Sequence, residues 1–163
     1  MSELRTNRIV PRNGLPSGAS GGVIQVVEAS DYTSTAVTSG SFVDTGLSAS
    51  ITPTNSSNNI LVYVSHNVYK GSTNNYAHLI LAYSSGGSYS TLGYVDDLIA
   101  YTNDTLGAVH RPNAMFMHSP ATTSTITYKT QCKVTGGTFY FNGDASSGTQ
   151  QSRGSIVLME VSG

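Results

Sequence analysis

The side chains in this 163-residue chain that could do chemistry are few and widely spaced. Gly18-Ala19-Ser20-Gly21-Gly22 carries the letters G-x-S-x-G of a hydrolase nucleophile elbow. That elbow needs a strand before the serine and a helix after it. Here a Pro- and Gly-broken stretch precedes Ser20 and a strand pattern follows, so the letters do not make a nucleophile. The four histidines, His66, His78, His110 and His118, show no helical or hairpin metal spacing. His66 and His78 could meet on adjacent strands across a turn at residues 71–75; otherwise they belong on sheet faces or in a subunit contact. Asp96, Asp97 and Asp104 form the only acidic group of the sequence, without EF-hand spacing. Two carboxylates adjacent in sequence point in different directions, which disfavours a glycosidase pair. Cys132, the single cysteine, sits in a strand pattern and reads as a small buried hydrophobe; it permits no intrachain disulfide. These residues assign no catalytic group, no metal site and no cofactor.

Recognition chemistry is better represented. Tyr69, Tyr76, Tyr83, Tyr89, Tyr94 and Tyr101 recur through the middle of the chain among Asn and Ser. A tyrosine ring offers apolar area with a polar tip, suited to protein or sugar contact, although tyrosine is also a favoured strand residue. Candidate receptor-facing positions are Tyr69, Lys70, Asn74, Asn75, Tyr76 and Tyr89, in or beside the loops at residues 70–75 and 84–90; a third polar loop spans residues 143–153. The absence of Trp weakens a lectin reading. Asn55-Ser56-Ser57 and Asn103-Asp104-Thr105 match the glycosylation pattern, which has no meaning without export.

The elements that must position these residues read as strands. Charged residues make up 10% of the chain against a usual ~25%. The polar remainder is hydroxylic, with 24 Ser and 19 Thr, beside 17 Gly. Apolar residues make up 38% and come in runs of period two, which favours a β-rich domain over disorder. Strands are expected at residues 23–29, 47–51, 60–68, 76–83, 89–95, 114–118, 125–134, 138–142 and 155–161, with short candidates at 34–38 and 41–44. In the clearest of them Ile126, Tyr128, Thr130, Cys132 and Val134 face one way and Thr127, Lys129, Gln131 and Lys133 the other. Ile60, Val62, Val64, His66 and Val68 share a face, and Met115 and Met117 oppose Phe116. Residues 96–107 read as a loop. No segment has a capped helical period. The expected fold class is all-β: a single antiparallel β-sandwich of nine or ten strands, jelly-roll-like, with an immunoglobulin-like sandwich second. The first and last strands are expected to be neighbours.

Residues 1–21 differ from the rest. They hold three of eight cations and are broken by Pro11, Gly14, Pro16, Gly18 and Gly21. Such a segment cannot pack on itself, and Leu4, Ile9, Val10 and Leu15 give it more aliphatic content than a solvated tail needs. It reads as an extended attachment arm, with Leu4, Arg5, Arg8, Ile9, Val10, Arg12 and Leu15 as its contacts, ahead of a β-domain over residues 22–163. Three Arg without interleaved aromatics, and a net charge of −1, do not suggest a nucleic-acid partner. No apolar run nears the ~18 residues of a membrane span, and the N-terminus lacks a secretory h-region. The expectation is a protein made in a cytoplasm and not inserted in a membrane.

The stretches SELRTNRIVPRNGLPSGASGGVIQVV (residues 2–27), SFVDTGLSASITPTNSSNNILVYV (41–64) and SIVLMEVSG (155–163) together resemble small virion structural proteins of tailed bacteriophages, of the cyanophage and marine-phage type, described as tail-fibre or fibre-like. Residues 70–142 do not take part in the resemblance. It implies a homotrimeric β-sandwich whose arm attaches to other virion proteins, and no catalytic residue comes with it.

Three function classes follow as expectations. The first is a trimeric short tail fibre or baseplate-attached fibre, located in the virion, whose displayed loops meet a host glycan or protein. The second is a capsid decoration (cement) protein, favoured by the lack of a shaft. The third is a soluble carbohydrate-binding module or depolymerase-like enzyme, disfavoured because no paired acid, triad or metal spacing is present.

Overall fold

The computed structural model describes residues 22–71, 74–100, 109–143 and 152–163. The arm residues Leu4, Arg5, Arg8, Ile9, Val10, Arg12 and Leu15 lie outside them, as do Ser20, Tyr101 and Asp104.

The described chain is all-β, in antiparallel sheets. Twelve strands run in order: β1 (Val23–Asp31), β2 (Thr35–Val37), β3 (Val43–Ile51), β4 (Asn59–Ser65), β5 (Val68–Lys70), β6 (Ala77–Ser84), β7 (Ser90–Ile99), β8 (Val109–His110), β9 (Asn113–His118), β10 (Ile126–Val134), β11 (Phe139–Phe141) and β12 (Gly154–Val161). They form three four-stranded sheets, β1-β12-β4-β9, β3-β10-β6-β7 and β2-β11-β5-β8. The first and last long strands pair, as expected, from Val23↔Val161 to Asp31↔Gly154.

Period-two alternation sets the faces. Ile60, Val62, Val64, Ile156 and Leu158 turn inward from the first sheet, and Leu47, Ala49, Ile51, Leu79, Leu81, Ile126, Tyr128 and Cys132 from the second. With Val37, Val68, Phe139 and Phe141 of the small sheet they form one hydrophobic cluster. Each Val, Leu, Ile or Phe among them contributes ~1.5–3 kcal/mol relative to leaving it in water. Cys132 is fully buried, and burial pushes its thiol up to about 12. Met115 and Met117 are exposed while Phe116 packs on the core.

The small sheet follows from strand direction. β1 and β4 finish, and β9 and β12 begin, at one end of the first sheet; β2, β5, β8 and β11 each occupy a connection at that end. The opposite end carries the turns at residues 52–58, 85–89 and 119–125.

Local differences from the sequence reading have physical causes. The two expected pieces at residues 41–44 and 47–51 are one strand, β3, broken in register where Lys129 pairs with Ser48 and Gln131 with Asp44. Gly46 absorbs the bulge with φ of 96°, and a Cβ there would stand 2.7 Å from an Asp31 carboxylate oxygen. Gly46→Ala is expected to cost ~1–3 kcal/mol, read as a lower urea midpoint at unchanged slope. Residues 96–99 are not loop: they complete β7, whose pairing with β6 is irregular enough to hide the period. The two-residue β8 is too short to leave a pattern.

Candidate functional site

The outer face of the β3-β10-β6-β7 sheet gathers the exposed polar chemistry. The odd-numbered positions of β10 put Lys129, Gln131 and Lys133 on it. The register brings Asp44 of β3 to them from 85 residues away: Lys129 Nζ lies 2.7 Å from Asp44 Oδ1, and Gln131 Nε2 donates to the same oxygen at 2.8 Å. The Lys129 ammonium also sits 3.8 Å above the Tyr89 ring. Tyr89 is 41% exposed, and with Asp44, Gly46, Leu47, Ser48 and Lys129 it lines a shallow cleft of about 160 Å³. At the far end of the face, His78 stacks edge-on with Tyr76 (5.2 Å) and Tyr94 (6.5 Å), and its Nδ1 is 2.8 Å from Asp97 Oδ1. An aromatic ring held by a cation, beside a carboxylate and an amide, can stack on a ligand and accept hydrogen bonds from hydroxyls.

The candidate receptor residues do not form one patch. Tyr89 and Tyr76 mark opposite ends of this face. Tyr69 belongs to the small sheet, half-buried against Tyr140 at 6.1 Å. Asn74 is exposed with φ of 59°, and Asn75 is half-buried, its side-chain oxygen 2.7 Å from where a Cβ on Gly136 would be. Lys70 is a correction: it is fully buried, with Nζ donating to the Ala100 carbonyl at 2.9 Å, because alternation along β5 turns Val68 and Lys70 inward and leaves only Tyr69 at the surface. Asp44, Lys129 and Gln131 were not singled out as a site from the sequence; Lys129 and Gln131 were legible as a wet face, but their partner Asp44 was not.

His66 and His78 do not meet. His66 is 1% exposed at the small-sheet end of the core, in a chain of hydrogen bonds. Asn142 turns its amide nitrogen toward Asp31 Oδ2 (3.4 Å), so His66 Nδ1 donates to Asn142 Oδ1 at 3.2 Å. His66 Nε2 then accepts from the Thr130 hydroxyl at 2.9 Å, which is bonded to the Thr45 hydroxyl at 2.5 Å. Burial holds the imidazole down at about 4, against smaller upward pulls from Asn142 and Asp31, so it is neutral at pH 7.

A matching knot closes the opposite end. Glu160 is fully buried; its Oε1 accepts from Thr54 N and Oγ1, both at 2.7 Å, and from Asn58 Nδ2 at 2.6 Å, while Oε2 accepts from Gln25 Nε2 at 2.6 Å. Burial pushes the carboxyl up, but the bonds from Asn58, Gln25 and Thr54 outweigh it and hold the group at about 2. Nearby, His118 Nδ1 is 2.7 Å from the Tyr128 hydroxyl, and burial lowers the imidazole and raises the phenol.

Asp96 and Asp97 point apart, Asp96 Oδ1 accepting from Leu98 N and Asp97 reaching His78. Among the described residues no three His, Cys, Asp or Glu groups converge to hold a metal ion, and no helix is long and apolar enough to cross a membrane. No protein-family model matches the chain, and no curated protein matches it.

Proposed function

We infer that the two large sheets form a jelly-roll sandwich and that the chain is a non-enzymatic structural protein of a phage particle: a trimeric short fibre, attached through residues 1–21, whose β-domain is displayed. The observation that carries this reading is the strand order. Every connection between consecutive long strands switches sheet except the β6–β7 hairpin, which gives β1-β12-β4-β9 facing β3-β10-β6-β7. That order supports the reading, since two Greek keys folded into a jelly roll, as in viral capsid and lectin domains, alternate sheets in the same way. A fold does not fix a function. The particle assignment is supported by the resemblance of residues 2–27, 41–64 and 155–163 to phage virion proteins. The titratable groups at the two ends of the core support a scaffold role, since His66 and Glu160 spend their hydrogen bonds on holding strands together. The Tyr89–Lys129–Asp44 face, on the water-facing side of the second sheet, is where a host glycan or protein would be met.

Deleting residues 2–20 is expected to leave a folded, soluble protein that is absent from purified particles by mass spectrometry. Incorporation at the wild-type level would remove the attachment role. Copy number in wild-type particles separates the two locations: a few tens or fewer for a tail appendage, hundreds for a head-decoration protein.

A further inference from the structure

The two outer faces of this molecule are built for different surroundings. Outward positions of β3 and β10 carry Asp44, Ser48, Ser50, Thr127, Lys129, Gln131 and Lys133, a face suited to water. On the β1-β12-β4-β9 sheet the register stacks apolar residues straight across all four strands. One row is Val26↔Met159↔Leu61↔Met117, and the next is Glu28↔Val157↔Tyr63↔Met115. Met115 is 64% exposed, Met117 58%, Val26 57% and Tyr63 39%, and Ile24 adds 46% beside them on the β1 edge. The third row, Ser30↔Ser155↔Ser65↔Asn113, is a polar rim. Glu28 is the one charge in the rows, and Arg153 neutralises it within the same chain. Apart from the Glu28–Arg153 pair, methionine, valine and tyrosine are what these two rows show their surroundings.

We propose that this face is the contact between copies of this chain, packed around the axis of the oligomer. The proposal rests on the trimer of the reading above and gives it a surface. Three arguments favour a further copy as the occupant. Isolated exposed apolar residues need no explanation, but a contiguous neutral patch marks an interaction site. The one charge in the rows, Glu28, is paired with Arg153, and the chain carries a net charge of only −1, so identical copies meet with little repulsion and a strongly charged partner would find little unpaired charge to meet. Area then decides between a pair and a ring. From the level of Ile24 to that of Glu28 the four strands span roughly 17 Å by 19 Å, about 320 Å². Two such faces pressed together remove roughly 640 Å² in all, short of the ~1,200 Å² of a stable specific interface. A closed ring lets each copy meet two neighbours and brings the flanking edges β1 and β9 into the contact. The flexible methionine side chains suit three faces converging on one axis, where the fit must be filled rather than keyed.

The test is molar mass by light scattering on the full-length protein at tens of micromolar. Wild type is expected at three times the 17.1 kDa chain mass. Met115→Glu with Met117→Glu changes only exposed positions, and is expected to fall threefold to the monomer while keeping its far-ultraviolet dichroism. Tyr94→Glu, 51% exposed on the opposite sheet, is expected to keep the wild-type mass. A double variant that stays at the wild-type mass, or a wild type that is itself monomeric, overturns the proposal. The deletion of residues 2–20 keeps the outcomes apart. It is expected to retain the trimer mass, so a failed face with arm-dependent particle incorporation leaves the attachment reading standing. Loss of the oligomer on that deletion would assign the face to the arm instead, and also overturns the proposal.

Discussion

Glu160→Gln is expected to lower the unfolding free energy by about 3 kcal/mol and the melting temperature by roughly 6–12 °C, measured by calorimetry at pH 7. The carboxylate takes four hydrogen bonds from three residues on two other segments, and every one of those partners is a donor. A glutamine keeps one acceptor oxygen and turns an NH₂ toward a donor. If that NH₂ faces Gln25, the Gln25 amide cannot flip to suit, because its Nε2 also donates to the Thr52 carbonyl at 2.7 Å. If it faces Thr54 and Asn58, three bonds fail together. The turn at residues 52–58 and the β1 edge would both loosen, so hydrogen exchange should rise at Thr54 and Asn58 well before it rises in β10. A variant as stable as wild type would mean that the buried charge costs as much as its bonds return. Because the folded carboxyl sits at about 2 rather than its ordinary 4.5, the unfolded chain takes up the proton first. The stabilisation is therefore whole above pH 4.5 and drains away as pH falls toward 2.

The second large effect is a loss of stability in mild acid, between pH 6.5 and 4. His66 is neutral in the folded protein down to about pH 4, while in the unfolded chain it protonates near 6.5. Over that window the unfolded state binds the extra proton, so stability falls with falling pH, by roughly 3 kcal/mol in all from this one group. His118, also lowered by burial, acts in the same direction. His66→Gln is expected to be less stable than wild type at pH 7.5, since Thr130 and Asn142 lose their shared partner, and to flatten most of the slope between pH 6.5 and 4. Urea titrations at half-unit steps read both quantities. A wild-type slope that survives the substitution would place the proton uptake elsewhere. The windows of His66 and Glu160 adjoin, and the two groups sit at opposite ends of the core, so acid is expected to open the small-sheet end first.

Much of the fold was legible because the alternation in β10, β4 and β9 is long and clean. It placed Ile126 through Val134, Ile60 through Val64 and the Met115–Met117 pair on their proper faces without reference to any other segment, but the strand expected over residues 60–68 ends at Ser65, and Val68 starts β5 of the small sheet. It failed where strands are short or irregular. Lys70 sits in a three-residue strand, where the expectation that a lysine faces water outweighs a period of two, yet its amine is turned in to the Ala100 carbonyl. The bulges in the β6–β7 pairing hid residues 96–99, and the bulge at Gly46 split β3 in two. The candidate site was legible as ingredients and not as an assembly: Tyr89 was named for its type, but the lysine over its ring and the aspartate behind that lysine arrive from strands 40 and 85 residues apart in sequence.

Residue order alone determined the class of element, the inward side of the long regular strands and the burial of Cys132, since all of these depend on neighbours one or two positions away. Tertiary structure decided which strands pair, and through that the salt-bridged Asp44, the two buried knots at His66 and Glu160, and the largely apolar rows of the first sheet. Register is the reason. Outside the β6–β7 hairpin, pairing partners here are about 40 to 140 residues apart, and a slip of one residue would turn each of those side chains to the opposite face.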